Sequence, residues 1–449
     1  MSSKKDMISE IFGVFTSNLA ALFFAFGTGV ILSRVLGPEL KGMYTSLLVI
    51  PGIIASIAAF GTRQSSIYHI GKKIFSNQQV ISALTFLFLM SSSIGIALLI
   101  TYHGFRHDNY TLWMIALAVI YIPIKLLITY SGSVFLANVQ FKKANRLKWL
   151  TALLTLLTVV VFVYVLRLSV VGALVALILA SLLVLVLAIY TIAKDYGIKI
   201  HFDKKVIITL FRMGIIYAIA LFIIQLNFRL DIMLLDQLSN KTEIGYYSIG
   251  VSVAEKLWQI PFAIGIVVIS RSASTSNMPQ LITDVGRLMR LGVLTVLMAS
   301  VVLYFIVPFA IPFLYGHAFS KSISVVQTIL PGIVFFVVVR VLASSLAGLG
   351  KPWIIIWVFL PALVINVILN LFWIPPYGCI GASWATNVSY TAGALGLIIA
   401  YARIAKVSVL SLILFTRDDF KLIENIKAVR KRKRELKNFQ EEIANDDDA

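Results

Sequence analysis

The sequence predicts an all-α integral membrane protein with 12 transmembrane helices in two six-helix lobes around a central cavity. Three observations predict it: an apolar composition, a series of long apolar runs, and a regular alternation of charge between the segments that join them. Of the 449 residues, 59% are hydrophobic and only 13% are charged. A soluble domain carries about 25% charged residues, so the bilayer is the solvent for most of this chain.

A helix crosses a membrane in about 20 apolar residues. Runs of that kind fall at 11–35, 44–67, 80–102, 112–138, 147–166, 170–192, 211–236, 245–269, 288–314, 323–347, 353–374 and 381–403. They are long and continuous, which favours helices over a barrel, whose strands alternate in segments of about 10 residues. Lys4 and Lys5 precede the first run as they would in a signal peptide. The run has no small-residue cleavage pattern, so a retained first helix is expected.

The formal charge of +19 raises the question of nucleic acid. Its placement answers against it, because the basic residues sit in short segments between apolar runs and in the C-terminal tail. With the N-terminus inside, the cytoplasmic segments before the tail hold eighteen Lys and Arg, and the external segments hold six: Arg34, Lys41, Arg106, Arg167, Lys241 and Lys321. Basic loops mark the cytoplasmic side, so both termini are expected there. The expected organisation is an N-terminal six-helix lobe at 1–192, a cytoplasmic inter-lobe loop at 193–210, a C-terminal six-helix lobe at 211–404 and a basic cytoplasmic tail at 405–449.

The lobes look related. Each has an apolar helix, a short polar turn and then Gly-x-Tyr, at Gly42-Met43-Tyr44 and at Gly245-Tyr246-Tyr247. Each following helix ends in a similar phrase, Thr62-Arg63-Gln64-Ser65-Ser66 and Ser270-Arg271-Ser272-Ala273-Ser274. Parallel six-helix repeats are a transporter plan.

Charged residues at bilayer depth are costly and mark polar pathways or buried pairs. Lys125, Arg229, Lys256 and Arg340 fall within runs, with Arg34 and Arg63 near run ends. The acids in runs are Asp231, Glu255 and, near an end, Asp236. Arg34, Arg63 and Asp236 have the alternative of snorkelling to the interface. Glu255 and Lys256 point about 100° apart on a helix and need not pair. Gln225 and Arg229 share one helical face, and Asn227 and Asp231 share another. A salt-bridge network between helices and a cargo site account for Arg229 and Asp231 equally well. Lys125 lies near the bilayer midplane, and neither its run nor that of Arg340 supplies an acid. Excess cations at this depth point to an anionic cargo such as a phosphate or diphosphate, held by charge-assisted hydrogen bonds. Asp231, Glu255 and Asn227 are candidates for an ion-coupling or structural role, and Asp231 or Glu255 would bind the proton or sodium ion.

Pro51, Pro123, Pro261, Pro308, Pro312, Pro331 and Pro361 are candidate kinks. Asn366 and Asn370 share a face suited to hydrogen bonds between helices. The single cysteine, Cys379, excludes an intrachain disulfide and a cysteine metal site. His103 and His107 have an i, i+4 ligand spacing beside Asp108, but a solvated loop accounts for them and no metal is expected. No nucleophile–base arrangement, paired carboxylates or phosphate-binding Gly-rich loop suggests an enzyme, and no cofactor is expected. In the tail, LSLILF (410–415) is too short to span. Phe420, Ile423, Ile426 and Val429 follow at helical spacing, ahead of Arg430-Lys431-Arg432-Lys433-Arg434. That pattern suits an anionic membrane surface and equally a solvated anchor.

The phrases LSRVLGPELKGMY (32–44), LNFRLDIMLLDQLSNKTEIGYYSIGVSVAEKLWQIPFAI (226–264), LYGHAF (314–319), LAGLGKPW (346–353) and NVILNLFWIPPYGCIGASWAT (366–386) resemble the polysaccharide-biosynthesis transporters of bacteria. These are the O-antigen and related lipid-linked oligosaccharide flippases of the multidrug/oligosaccharidyl-lipid/polysaccharide exporter superfamily. The resemblance runs from about residue 10 to 405. It implies a V-shaped alternating-access transporter in the bacterial inner membrane that moves undecaprenyl-diphosphate-linked sugars to the outer leaflet. It implies a basic central cavity for the diphosphate and sugar, for which Arg63, Lys125, Arg229, Lys256 and Arg340 are the candidates here. The partners implied are lipid-linked oligosaccharide, membrane lipids, and polysaccharide polymerase and glycosyltransferases. The related lipid II flippases typically have fourteen helices, and the cation-coupled multidrug antiporters often use an acid in the first helix, which this chain lacks. Both remain alternatives, as does a membrane scaffold that recruits enzymes through the basic tail.

Overall fold

The computed structural model describes residues 4–104, 110–274 and 277–415. These residues form helices and turns, with no strand among them. The His107–Asp108 part of the histidine group and the basic tail beyond 415 lie outside the described residues.

The apolar runs fall mostly on helix. In chain order the helices are α1 (Lys4–Ala58), α2 (Thr62–Gly71), α3 (Asn77–Gly104), α4 (Leu112–Ala137), α5 (Phe141–Val159), α6 (Ser169–Tyr196), α7 (Lys204–Leu238), α8 (Lys241–Ala254), α9 (Gln259–Ser274), α10 (Met278–Tyr315), α11 (Lys321–Gly348), α12 (Trp353–Tyr377), α13 (Cys379–Ala405) and α14 (Val409–Ile413). Among the described residues, ten helical segments are long and apolar enough to cross a membrane; one of them, Thr16–Ala58, is 43 residues long and carries most of one expected run and the beginning of the next. The protein is therefore a multi-pass membrane protein.

Polar side chains in the turns start several helices. Thr111, Asp203 and Ser408 accept hydrogen bonds from the first-turn amides of α4, α7 and α14, which satisfies donors that the helix itself leaves unpaired. Within the apolar runs, hydroxyls such as Thr28, Thr129 and Thr151 donate to the carbonyl four residues earlier. A polar group in hydrocarbon is thereby satisfied within its own helix.

Several boundaries differ from the expectation. The 44–67 run is not one helix: α1 stops at Ala58 and α2 starts at Thr62, across Phe60 (φ 46°) and Gly61 (φ 60°). The apolar Ala-Ala-Phe sequence hides this turn. The prolines named as kinks stand mostly inside continuous helices, and the non-helical residue inside α1 is Gly37 (φ 71°, ψ 177°), just before Pro38. Glycine adopts that backbone without strain. The expected loop 193–210 narrows to 197–203, because α6 runs to Tyr196 and α7 begins at Lys204. LSLILF forms the short helix α14, and Arg290 donates to its Ser411 and Leu412 carbonyls at 3.1 and 3.0 Å.

The chain divides into two compact units. The first comprises Met1–Val253, Tyr304–Ile329 and Phe359–Ser389, and the second comprises Ala254–Leu303, Leu330–Val358 and Tyr390–Ala449. In the second, Trp258 stacks on Phe336 with ring centroids 4.4 Å apart, beside Phe262 and Tyr390.

Two backbone crossings organise the first unit. A Cβ on Gly42 would lie 1.7 Å from the Lys241 carbonyl oxygen, and one on Gly245 would lie 1.9 Å from the Pro38 carbonyl oxygen. The glycines of the two Gly-x-Tyr phrases thus bring the start of α8 against the middle of α1. The second crossing is equally reciprocal: a Cβ on Gly61 would lie 2.1 Å from the Gly214 carbonyl oxygen, and one on Gly214 would lie 2.4 Å from that of Phe60. Small residues let helix backbones touch in a membrane. Beside the first crossing, Glu243 accepts from Lys321 Nζ at 2.5 Å and from the backbone N–H of the buried Cys379 at 2.9 Å.

Gly42→Ala and Gly245→Ala place a methyl group inside a backbone carbonyl, and overpacking costs about 1–3 kcal/mol. Each is expected to lower the melting temperature of the purified protein. Gly29→Ala, with nothing within 4 Å of the added carbon, is expected to leave it unchanged.

Candidate functional site

α7 carries two polar faces. Residues 218, 222, 225 and 229 recur at the spacing of one helical stripe, and Asn227 and Asp231 lie on another side. The first stripe lines a cavity of about 470 Å³ together with Ala55, Ser56 and Ala59 of α1, Gly61 of the turn, Arg63 and Gln64 of α2, and Lys125, Leu126 and Thr129 of α4. The remaining lining residue from α7 is Phe228. Its volume is in the range of roughly 300–1,000 Å³ typical of small-molecule sites.

The structure brings Arg63, Lys125 and Arg229 together around this cavity, and among the described residues no carboxylate lines it. The Lys125 ammonium lies against Gly52, where an added Cβ would sit 2.9 Å from Nζ, and 5.7 Å from the centroid of the Tyr121 ring. Ser56 donates to Gln225 Oε1 at 3.1 Å, joining α1 to α7 across the wall. Clustered cations can attract an anion through charge-assisted hydrogen bonds.

Lys256 and Arg340 do not line this cavity. Both belong to the second unit. Lys256 is exposed, on the 3₁₀ turn Glu255–Trp258 that also carries the half-buried Glu255. Arg340 packs its guanidinium 4.4 Å from the Phe262 ring centroid, an arrangement that favours a cation over a π face. Its Nε has no hydrogen-bond partner among the described residues. Sequence position places a residue at a depth along its helix, but not in a particular cavity.

The other face of α7 is closed. Asp231 is 2% exposed and accepts three hydrogen bonds: from Tyr247 Oη at 2.8 Å, Thr386 Oγ1 at 2.7 Å and Asn370 Nδ2 at 2.7 Å. These come from α8, α13 and α12, and all are neutral. Asn370 also donates to Asn366 Oδ1 at 3.0 Å. The buried Asn227 accepts from Ser389 Oγ at 3.3 Å. The salt-bridge alternative for Asp231 is thus replaced by a cluster of neutral donors. Asp236, expected to have the option of snorkelling, is instead 4% exposed and pairs with Lys241 at 2.6 Å. It also accepts from Tyr102 and Tyr110 at 3.2 and 3.4 Å. Burial makes the pair necessary, since an unpaired charge there would carry its full desolvation cost. Arg34 donates to the carbonyl of Leu314 at 2.8 Å and to that of Phe313.

Tyr247 and Thr386, missed in the sequence, are ordinary helix residues that packing against α7 turns into donors to Asp231. The paired spacing of Gln225 with Arg229 was the visible sign of the cavity stripe. Asp231→Ala removes the acceptor that three buried donors share, and each lost buried bond costs about 1–3 kcal/mol. It is expected to lower the melting temperature sharply. Lys125→Gln, which breaks no hydrogen bond, is expected to leave it within experimental scatter.

The chain is 24% identical over 423 residues to a protein of Shigella flexneri described as a putative O-antigen transporter, covering 91% of this chain and 99% of that one. Its fold is similar to that of the lipid II flippase MurJ in an inward closed conformation, with a TM-score of 0.73, 15% identity, and coverage of 90% of this chain and 89% of MurJ. It is also similar to a multidrug resistance MATE family transporter of the MOP superfamily in an inward-facing conformation, with a TM-score of 0.67, 16% identity, and coverage of 86% and 95%. The polysaccharide biosynthesis protein family matches residues 8–270, more than half of the sequence. The chain belongs to the polysaccharide biosynthesis protein family.

Proposed function

We propose that the protein is a flippase for a lipid-linked oligosaccharide. It moves an undecaprenyl-diphosphate-linked sugar from the inner to the outer leaflet of the bacterial inner membrane, for a surface polysaccharide of the O-antigen or capsule type. The observation that carries this reading is the cavity lined by Arg63, Lys125 and Arg229 with no carboxylate. The three cations take the diphosphate through charge-assisted hydrogen bonds, and Gln64, Thr129 and Gln225 offer neutral partners to its oxygens or to sugar hydroxyls. The putative O-antigen transporter of Shigella supports the class of cargo. The polyprenyl chain stays in the bilayer, since its transfer to a polar cavity would lose the hydrophobic stabilisation.

Both termini are cytoplasmic in this reading, because the basic connecting segments mark that side. The two lobes, 1–192 and 211–404, alternate access to the cavity. The Gly61–Gly214 crossing then lies toward the cytoplasm and the Gly42–Gly245 crossing toward the outside. Lys256 and Arg340 serve the sugar or diphosphate at another stage of the cycle. Polymerase and glycosyltransferases act before and after the transfer.

Lys125→Gln, Arg229→Gln and Arg63→Gln are each expected to reduce surface polysaccharide about tenfold or more, the worth of one charge-assisted bond. The protein should remain at its normal level in the membrane fraction. Normal polysaccharide in all three rejects the cavity as the cargo site.

A second reading concerns the driving force. Asp231 is a buried carboxylate held by neutral donors alone, which suits a carboxylate that takes up a proton or a sodium ion during the cycle. Asn366 and Asn227 supply further oxygens nearby. In proteoliposomes, transport by the wild type is expected to respond to an imposed sodium or proton gradient, and transport by Asp231→Asn is not. A wild type indifferent to both gradients rejects the coupling role.

A further inference from the structure

The cavity-lining stripe of α1 does not stop at the cavity. Ala55, Ser56 and Ala59 line it, and stepping back by three or four residues along the same helical face gives Gly52, Leu48, Tyr44 and Lys41. Lys41 and Gly52 are eleven residues apart, about 16 Å at the α-helical rise, with no break in the helix between them. The stripe therefore leads from the Lys125 ammonium, which rests on Gly52, to the Gly42–Gly245 crossing.

Two cation–aromatic pairs lie along it. At the cavity end, Lys125 sits 5.7 Å from the Tyr121 ring centroid. At the far end, the half-buried Lys41 sits 5.1 Å from the Tyr44 ring centroid. The two pairs thus stand at the two ends of one helical stripe. Lys41 was counted by sequence among the charges of an external loop. Instead it is on helix, and its ammonium has no carboxylate or hydrogen-bond acceptor among the described residues. A cation kept at this depth without an acid repeats the chemistry of the cavity.

We propose that Lys41, with Tyr44 and Tyr121, is a second station for a phosphate or diphosphate group, on the path between the cavity and the Gly42–Gly245 crossing. The proposal rests on the reading of the cavity as an anion site. When the crossing parts, Lys41 is the first cation beyond the cavity, and the tyrosine hydroxyls donate to phosphate oxygens on the way. A second, weaker station in series lets a multiply charged group leave the cavity stepwise.

The test is a calorimetric titration of inorganic pyrophosphate into the full-length protein in lipid nanodiscs. The wild type is expected to bind two pyrophosphates. Lys41→Gln and Lys41→Met, the latter keeping the packing of the stem on Tyr44, are expected to bind one with unchanged affinity. Lys41→Arg is expected to restore two. Lys125→Gln is expected to lose the other site and keep the Lys41 site. Two sites in both uncharged Lys41 variants overturn the station and leave the cavity reading standing, as does a single wild-type site that only Lys125→Gln removes. A wild type that binds no pyrophosphate overturns the cavity reading itself.

Discussion

The cluster around Asp231 fixes the rotation of α7, and the rest of the first unit follows from that rotation. A buried carboxylate is tolerated only if its oxygens are satisfied, and here α8, α12 and α13 each send one neutral donor to it. Residues two apart on a helix diverge by about 200°, so anchoring Asp231 in this cluster turns Arg229 the opposite way, toward α1, α2 and α4. The cationic wall of the cavity is therefore positioned by a group that does not touch it. The same helix carries Gly214, whose carbonyl meets Gly61, and Asp236, whose carboxylate holds Lys241 at the start of α8. One helix thus links the anion surface, the buried acid and a backbone crossing.

The arrangement divides the polar groups of the membrane interior by what surrounds them. Asp236 and Lys241 are a closed pair, capped by two tyrosines. Glu243 is similarly committed to Lys321 and to the start of α13. Lys125 beside the cavity and Lys41 on α1 have no carboxylate partner among the described residues, and a cation kept so within a membrane costs stability.

Much of this was legible in the sequence, for identifiable reasons. The apolar runs located the helices because hydrocarbon leaves a membrane chain few alternatives. The i, i+4 spacing separated the Gln225–Arg229 face from the Asn227–Asp231 face before any neighbour was known. The Gly-x-Tyr phrases stood out as a matching pair, although not that Gly42 and Gly245 pack against each other's segments. What stayed hidden depended on partners distant in the chain. Lys256 and Arg340 matched Lys125 in kind and depth but belong to another unit. Asp236 looked interfacial because Tyr102 and Tyr110 lie far away in sequence. The turn at Phe60–Gly61 was masked by its own hydrophobicity, and Lys41 by its place among polar neighbours that are in fact helical.

The setting of Cys379 has a use outside its structural role. It is the chain's single cysteine, fully buried at the start of α13 with its amide tied to Glu243. A thiol reagent that reaches the protein from water finds no native target on its surface. Reporter cysteines introduced on the cavity stripe, or on either side of the glycine crossings, would then be labelled against a silent background. The motions of this protein can accordingly be followed by spectroscopy in the native sequence, without first engineering a cysteine-free parent.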